Sequence, residues 1–323
     1  MADRLIDPGA ALATALMNLP TDRPVGIAVS GGGDSMALLG LANEHADQSG
    51  HVLTVATVDH GLRPESAEEA AMVAQTCAAF GIPHATLTLT ELSGSGNLPA
   101  RARDARYAAL SAWAIAKNVS AVLLGHTMDD QAETVLMRLA RGSGAEGLSG
   151  MSTTMKWDGV TYRRPLLDIR RKALRDWLHN RDLVWIEDPS NEDHSYDRVK
   201  ARKALGVLEP LGVTIEGLSA TADRLLRQRK VLEAAAEELA STAISIDGNI
   251  AILNRQAFRD AIPDTAMRVL AMVLQRIGGN LYRPRFRALE PLYQRVVSDE
   301  LATQTLAHCL IRLKRDSVSV EPE

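Results

Sequence analysis

Val25-Gly-Ile-Ala-Val-Ser30-Gly-Gly-Gly-Asp-Ser35 decides how the chain reads. Residues 25–29 are a short apolar run, and a helical pattern begins at Met36-Ala-Leu-Leu39, so the stretch predicts a strand, a tight loop and a helix. Such a loop turns the unpaired N–H groups and the positive end of a helix toward one point. Gly31, Gly32 and Gly33 put no side chain in the way, which suits a phosphate. Ser30 and Ser35 carry hydroxyl donors, and Asp34 can hold Mg2+ against phosphate oxygens. A glycine-rich turn capped by Ser and Asp explains a bare Gly-Gly-Gly equally well. The full Ser-Gly-Gly-x-Asp-Ser string favours the phosphate. It is neither a Walker loop, since no Gly-Lys-Ser/Thr follows, nor the GxGxxG dinucleotide turn.

Working outward, residues 52–58 read as a second buried strand ending at Asp59-His60-Gly61, and 65–80 as a helix stopped by Gly81. Residues 84–89 alternate as a third strand, 100–117 are helical, and 121–124 form a fourth strand followed by Gly125 and His126. A further helix runs over 129–141 and ends at Gly142. Strands alternating with helices at this spacing predict an α/β fold with a parallel sheet, whose ligands bind beyond the carboxyl ends of the strands. Ser30, Asp59 and His126 all fall there.

The texture changes past residue 160: residues 163–203 hold eleven Arg/Lys, and Leu208-Glu-Pro-Leu-Gly212 closes the segment. A long helix is expected over 217–241, a hairpin over 244–253 around Asp247-Gly248, two more helices, and a terminal strand near 306–313. This divides the chain into a catalytic domain, 1–215, and a smaller, mainly helical domain, 216–323. The length of 323 residues agrees with two domains, and 46% hydrophobic with 24% charged residues describes a soluble globular chain. The net charge of −4 announces no nucleic-acid binder, so any basic surface must be local. Cys77 and Cys309, the only cysteines, exclude a disulfide framework and a Cys-based zinc site and fit a reducing cytoplasm. No signal peptide or membrane span is expected.

The loop resembles the PP-loop of N-type ATP pyrophosphatases, which cleave ATP between its α- and β-phosphates and adenylate an oxygen of their substrate. Further strings resemble the tRNA(Ile)-lysidine synthetase family: Val58-Asp-His-Gly-Leu-Arg-Pro-Glu-Ser66, Ala102-Arg-Asp-Ala-Arg-Tyr107, Gly125-His-Thr-Met-Asp-Asp-Gln-Ala-Glu-Thr134, Arg141-Gly142, Arg164-Pro-Leu-Leu167 and Glu187-Asp-Pro-Ser-Asn191. They run in the family's order over residues 24–212. The resemblance implies a parallel-sheet PP-loop ATPase domain of the adenine nucleotide alpha-hydrolase type, with a cytoplasmic location. It implies ATP, Mg2+, free L-lysine and a CAU-anticodon tRNA(Ile), whose wobble cytidine becomes lysidine.

On this resemblance Asp34 is a Mg2+ ligand and catalytic, and Ser30, Gly31, Gly32, Gly33, Ser35 and Gly125 belong to the nucleotide site. Asp130 and Glu133, three apart and so on one helix face, hold the incoming amine, with Asp129 beside them. A capping box from Thr127 to Asp130 explains Asp130 structurally instead. Asp59 meets ribose or Mg2+. His60 and His126 contact the nucleotide or act as structural hydrogen-bonders, and Arg103 and Arg106 meet phosphate or tRNA or line a solvated face. Arg198 and Arg202 match the family's late arginines, one of which approaches the reacting nucleotide; Val199 stands where relatives usually have Asn, an amide that valine cannot replace. Residues 141–147 form a loop near the anticodon or an ordinary helix-ending loop. Residues 163–203, with Arg224, Arg227, Arg229 and Lys230, make the expected tRNA surface, and Arg283, Arg285 and Arg287 another basic group. Two alternatives stay open: another adenylating tRNA-modifying enzyme, or a non-catalytic nucleotide- or RNA-binding relative. So does a homodimer.

Overall fold

The computed structural model describes residues 7–61, 65–89, 98–187, 197–280, 283–284 and 286–323. It divides into two compact units, Met1–Leu226 and Arg227–Glu323.

The first unit is built on a six-stranded sheet. Its strands are β1 (Val25–Ala28), β2 (Leu53–Asp59), β3 (His84–Thr88), β4 (Ala121–Leu124), β5 (Thr154–Trp157) and β6 (Val160–Arg163), in the order β3-β2-β1-β4-β6-β5. All neighbours are parallel except the β5–β6 hairpin. Its helices are α1 (Pro8–Met17), α2 (Gly33–Ser49), α3 (Glu65–Ala79), α4 (Leu98–Ala116), α5 (Met128–Ala140), α6 (Ala145–Leu148), α7 (Arg171–His179), α8 (Asp197–Leu208) and α9 (Ile215–Ala243), the last containing the division between the units.

Period-two alternation in the strands explains the layers. Val25 and Ile27 point to a core shared with Leu12 and Leu16 of α1, Leu38 of α2, Val73 of α3 and Leu174 of α7. Ala28, Ala56, Val122 and Leu124 point the other way, onto Leu110 and Trp113 of α4. Gly26 shares that second face, and the Trp113 ring lies 3.0 Å from where its Cβ would be, so the small residue sets how closely α4 approaches. Because β1 pairs with β2 on one side and β4 on the other, connections leave it in opposite senses and open a crevice at its carboxyl end. The 30–33 loop enters that crevice.

Several elements escaped the reading of the sequence, among them α1, the β5–β6 hairpin and the helices α7 and α8 inside the basic tract. Helix α1 begins at an Asp7 cap followed by Pro8. The β5–β6 hairpin turns at Asp158-Gly159, both at positive φ, a two-residue turn just before the basic tract that the sequence reading left unassigned.

The second unit carries an antiparallel sheet of β7 (Ile244–Asp247), β8 (Ile250–Asn254), β9 (Ala302–Leu306), β10 (Cys309–Leu313) and β11 (Ser317–Pro322), ordered β7-β8-β11-β10-β9. Its other helices are α10 (Arg255–Asp260), α11 (Pro263–Ile277) and α12 (Phe286–Val297). The expected 244–253 hairpin is present. The expected terminal strand is two strands, because Ala307 and His308 adopt positive φ and reverse the chain without the usual Gly or Asn. Among the described residues no helix is long and apolar enough to cross a membrane.

Arg255, 0% exposed, holds this unit together. Its guanidinium donates to the carbonyls of Val296 (2.7 Å), Lys314 (2.6 Å), Arg295 (2.7 Å) and Glu300 (2.8 Å), two of them at the C-terminal end of α12. Arg255→Met is expected to destabilise the second unit by about 3–5 kcal/mol, read as an earlier urea transition. An unmoved transition would show that those carbonyls find other donors.

Candidate functional site

The phosphate loop is shaped by its own serines. Ser35 Oγ accepts from the Ser30 N–H at 3.1 Å, donates to the Gly32 carbonyl at 2.8 Å and lies 3.2 Å from Ser30 Oγ. Gly31 has φ +86°, left-handed backbone that favours glycine, and its carbonyl accepts from the Ile186 N–H at 3.0 Å. Gly32 is the N-cap of α2 and supplies no side-chain acceptor, so the first N–H groups of the helix keep their capacity for an anion. Gly125 follows β4 so closely that a Cβ there would lie 3.0 Å from the Asp34 carbonyl oxygen and the Ser35 Cα. A side chain at 125 would push the loop away.

One guanidinium gathers the predicted carboxylates. Arg171, the first residue of α7, donates through Nε to Asp34 Oδ2 (3.0 Å), through Nη2 to Asp130 Oδ1 (3.0 Å) and through Nη1 to Glu133 Oε1 (3.3 Å). Arg202 Nε also donates to Glu133 Oε1, at 3.0 Å. Glu133 is 1% exposed. Asp129 accepts from Arg170 Nε at 3.3 Å and from the Arg171 N–H at 2.8 Å, and Arg170 pairs with Glu216 as well.

The capping-box reading of Asp130 holds, and it uses only one of the two carboxylate oxygens. Thr127 N–H and Oγ1 both donate to Asp130 Oδ2 at 2.9 Å, while Oδ1 faces Arg171. Burial works to raise the Asp130 pKa, but Arg171 and the Thr127 N–H outweigh it and hold the carboxylate below its ordinary range. At Asp34 burial wins over Arg171, and the pKa is raised. For Arg171 the three carboxylates overcome burial and fix the positive charge.

His126 Nδ1 accepts from Arg164 Nε at 3.3 Å. A guanidinium cannot accept, so the neutral ring carries its proton on Nε2 and presents a donor. Burial, then Arg164, lowers the His126 pKa to about 3. His60 is lowered as well, by burial and by Arg106. Asp59 Oδ1 is engaged in its own turn, accepting from Ser66 Oγ (2.6 Å) and the Gly61 N–H (2.8 Å), which together keep its pKa low. Arg103 is exposed and stacks over Tyr107 at 5.0 Å. Arg198 is exposed, and its charge reaches Asp130, His126 and Arg106, which puts it beside the cluster; the neighbouring Val199 is buried.

Asp34 Oδ1 and Glu133 Oε2 are buried and accept no hydrogen bond. Among the described residues no group of three or more His, Cys, Asp or Glu could hold a metal ion. Mg2+ commonly takes only one or two carboxylates and completes its shell with phosphates and water, so the free Asp34 oxygen beside the phosphate loop fits it.

Much of the basic tract expected to face tRNA is spent inside the unit. Arg171 lies in the carboxylate cluster, Arg164 on His126, and Arg163 on the Ala15 and Asn18 carbonyls. Arg181 pairs with Glu44. Outside this tract, Arg224, Arg227 and Lys230 are exposed, while Arg229 pairs with Glu233 at 2.8 Å. Residues 141–150 include helix α6 and are anchored by Arg138 on the Gly147 and Gly150 carbonyls. Residues 62–64 and 188–191 of the quoted motifs, and Arg285, lie outside the described residues.

Sheet order, loop and glycine contacts together define a PP-loop nucleotide-binding fold, and a PP-loop domain model matches residues 9–208. The tRNA(Ile)-lysidine synthase of Ruegeria pomeroyi is 47% identical over 263 residues, 81% of this chain and 63% of that protein. The tRNA(Ile)-lysidine synthase of Hyphomonas neptunium is 39% identical over 324 residues, 97% of this chain and 86% of that protein. That of Novosphingobium aromaticivorans is 41% identical over 80% of this chain and 77% of its own length. The chain belongs to the tRNA(Ile)-lysidine synthase family. Its fold is shared with the U34-tRNA thiolase NcsA from Methanococcus maripaludis, at a TM-score of 0.59 and 20% identity over 68% of this chain and 78% of that one.

Arg171→Met should leave three carboxylates facing one another. The expected result is loss of turnover and, at pH 7, a stability loss of about 3 kcal/mol that shrinks on acidification as the carboxyls protonate. A stable, active variant would contradict the cluster's importance. The lowered His126 pKa sets a second expectation. Between the ordinary histidine range and pH 3 the unfolded chain binds a proton that the native ring refuses, so stability is full above about pH 6.5 and falls as pH drops, by up to about 2 kcal/mol at pH 5. Urea melts of His126→Asn should show a flatter dependence over that range; an unchanged slope would contradict it.

Proposed function

We propose that this chain joins free L-lysine to C2 of the wobble cytidine, position 34, of a CAU-anticodon tRNA(Ile), consuming ATP and releasing AMP and pyrophosphate. The observation that carries the reading is Arg171, which brings the carboxylate of the phosphate loop and the acidic pair of α5 into one cluster. Nucleotide chemistry and amine chemistry thereby share one place.

The C2 carbonyl of cytosine is a poor electrophile. In the first step its oxygen attacks the α-phosphorus, pyrophosphate leaves, and an adenylated cytidine forms. The α2 N–H groups and the Ser30 hydroxyl suit the charge on the departing phosphates, the Ser35 hydroxyl being committed to the Gly32 carbonyl. Mg2+ held by Asp34 would neutralise the same charge. In the second step the lysine ε-amine bonds to C2 and the C2–O bond breaks, expelling AMP. The ammonium must first lose a proton. Asp130, kept ionised, suits pairing with the ammonium. Glu133 Oε2, buried without a hydrogen-bond partner, has the capacity to take the proton. Beside them lies a cavity of about 230 Å3 with Asp129, Glu133 and Arg202 on its wall and Leu205, Val213 and Ile215 for an aliphatic stem. His126, donating from Nε2, suits an acceptor on the nucleotide.

A sulfur-inserting relative would need reactive cysteines, and both cysteines here are buried, with burial pushing the Cys77 thiol up to about 11. That reading is disfavoured.

Incubation with ATP, Mg2+, lysine and a tRNA(Ile) transcript should add a lysyl mass to cytidine-34, and omission of lysine should stop it. Asp34→Ala should abolish the product. A mass gain without lysine, or full activity in that variant, would refute the assignment.

A further inference from the structure

Arg175 lies one turn along α7 from Arg171, outside the carboxylate cluster. Its guanidinium occupies the space of the side chain that Gly33 lacks: a Cβ on Gly33 would be 1.9 Å from Arg175 Nη1 and 2.3 Å from its Cζ. Gly33 opens α2, and Cβ positions on a helix tilt toward its N-terminus. The cation therefore sits beside the end toward which the first N–H groups of α2 point.

Its donors are not used up there. Nη1 is buried and donates no hydrogen bond. Glu187 Oε1 is 3.1 Å away, an ion pair without hydrogen-bond geometry, and that oxygen accepts from Trp185 Nε1 at 2.7 Å. The Glu187 side chain is 70% exposed, so water screens the pairing. Arg175 also stacks over the Trp185 ring at 5.1 Å, which steadies the plane of the guanidinium. The Asp34 carboxylate feels its charge. A cation whose side chain is 24% exposed, with one buried donor unused beside an anion-binding loop, is poorly used as a mere strut.

We propose that Arg175 is an additional binding residue for the pyrophosphate half of ATP, its guanidinium donating to an oxygen of the β- or γ-phosphate. This rests on the ATP reading of the preceding subsection and adds to the loop a side-chain cation from α7. It makes pyrophosphate a better leaving group without touching the adenosine or the α-phosphate. No bond to Arg175 forms or breaks.

The test is calorimetric titration of the full chain with Mg2+-pyrophosphate and, separately, with AMP, for the wild type, Arg175→Gln and Arg175→Lys. Loss of one charge-assisted hydrogen bond should weaken pyrophosphate binding roughly ten- to a hundredfold in Arg175→Gln. Arg175→Lys, keeping the charge, should recover part of it, and AMP affinity should stay within about twofold. A strut would behave otherwise, lowering both affinities together along with the melting temperature. That result, or unchanged pyrophosphate binding in Arg175→Gln, overturns the proposal. If the wild type binds neither ligand, the ATP reading of the loop falls, and this inference with it.

Discussion

A single guanidinium holding three carboxylates is the constraint on which the site depends. Asp34, Asp130 and Glu133 carry like charges, and bringing them together in a poorly solvated crevice costs several kcal/mol unless a cation sits among them. Arg171 supplies it, with one nitrogen to each carboxylate. The planar fork of an arginine can do this; the point charge of a lysine cannot serve three directions with fixed geometry. Because Arg171 is tied by charge to all three acids, α2, α5 and α7 are tied to one another at their N-terminal ends, where each presents a positive dipole.

That arrangement follows from the fold. The sheet's change of direction at β1 opens a crevice into which α2 and α5 both point, and Gly125 lets the end of β4 touch the α2 backbone. The site is thus charged but rigidly packed, and its histidine is kept neutral by burial and by an arginine that can only donate. On the proposed function, Mg2+ or a substrate ammonium entering such a site would meet acids already compensated. Binding would then be an exchange of partners, which favours selectivity over brute affinity.

The sequence made the phosphate loop legible because an apolar run, three glycines and a helix start have one common solution. The spacing of Asp130 and Glu133 was legible for the same local reason. Arg171 was not, since its partners lie 137, 41 and 38 residues away, and a basic tract looks alike whether it faces water or acids. Arg164 and Arg163 were lost in the same tract. Asp59 looked free at a strand end, yet its Oδ1 closes the following turn on Gly61 and Ser66. The β9–β10 reversal was invisible because Ala307 and His308 carry none of the turn chemistry that Asp158-Gly159 displays. Local signals revealed elements and the loop; long-range charge pairing had to be seen.

The most direct measurement is a crystal structure of the full chain with Mg2+, a non-hydrolysable ATP analogue and lysine. Phosphates seated on residues 30–35, with the lysine amine within hydrogen-bond reach of Asp130 or Glu133, are the expected result. Phosphates bound away from that loop, or an amine seated apart from both carboxylates, would contradict a single site for the two steps.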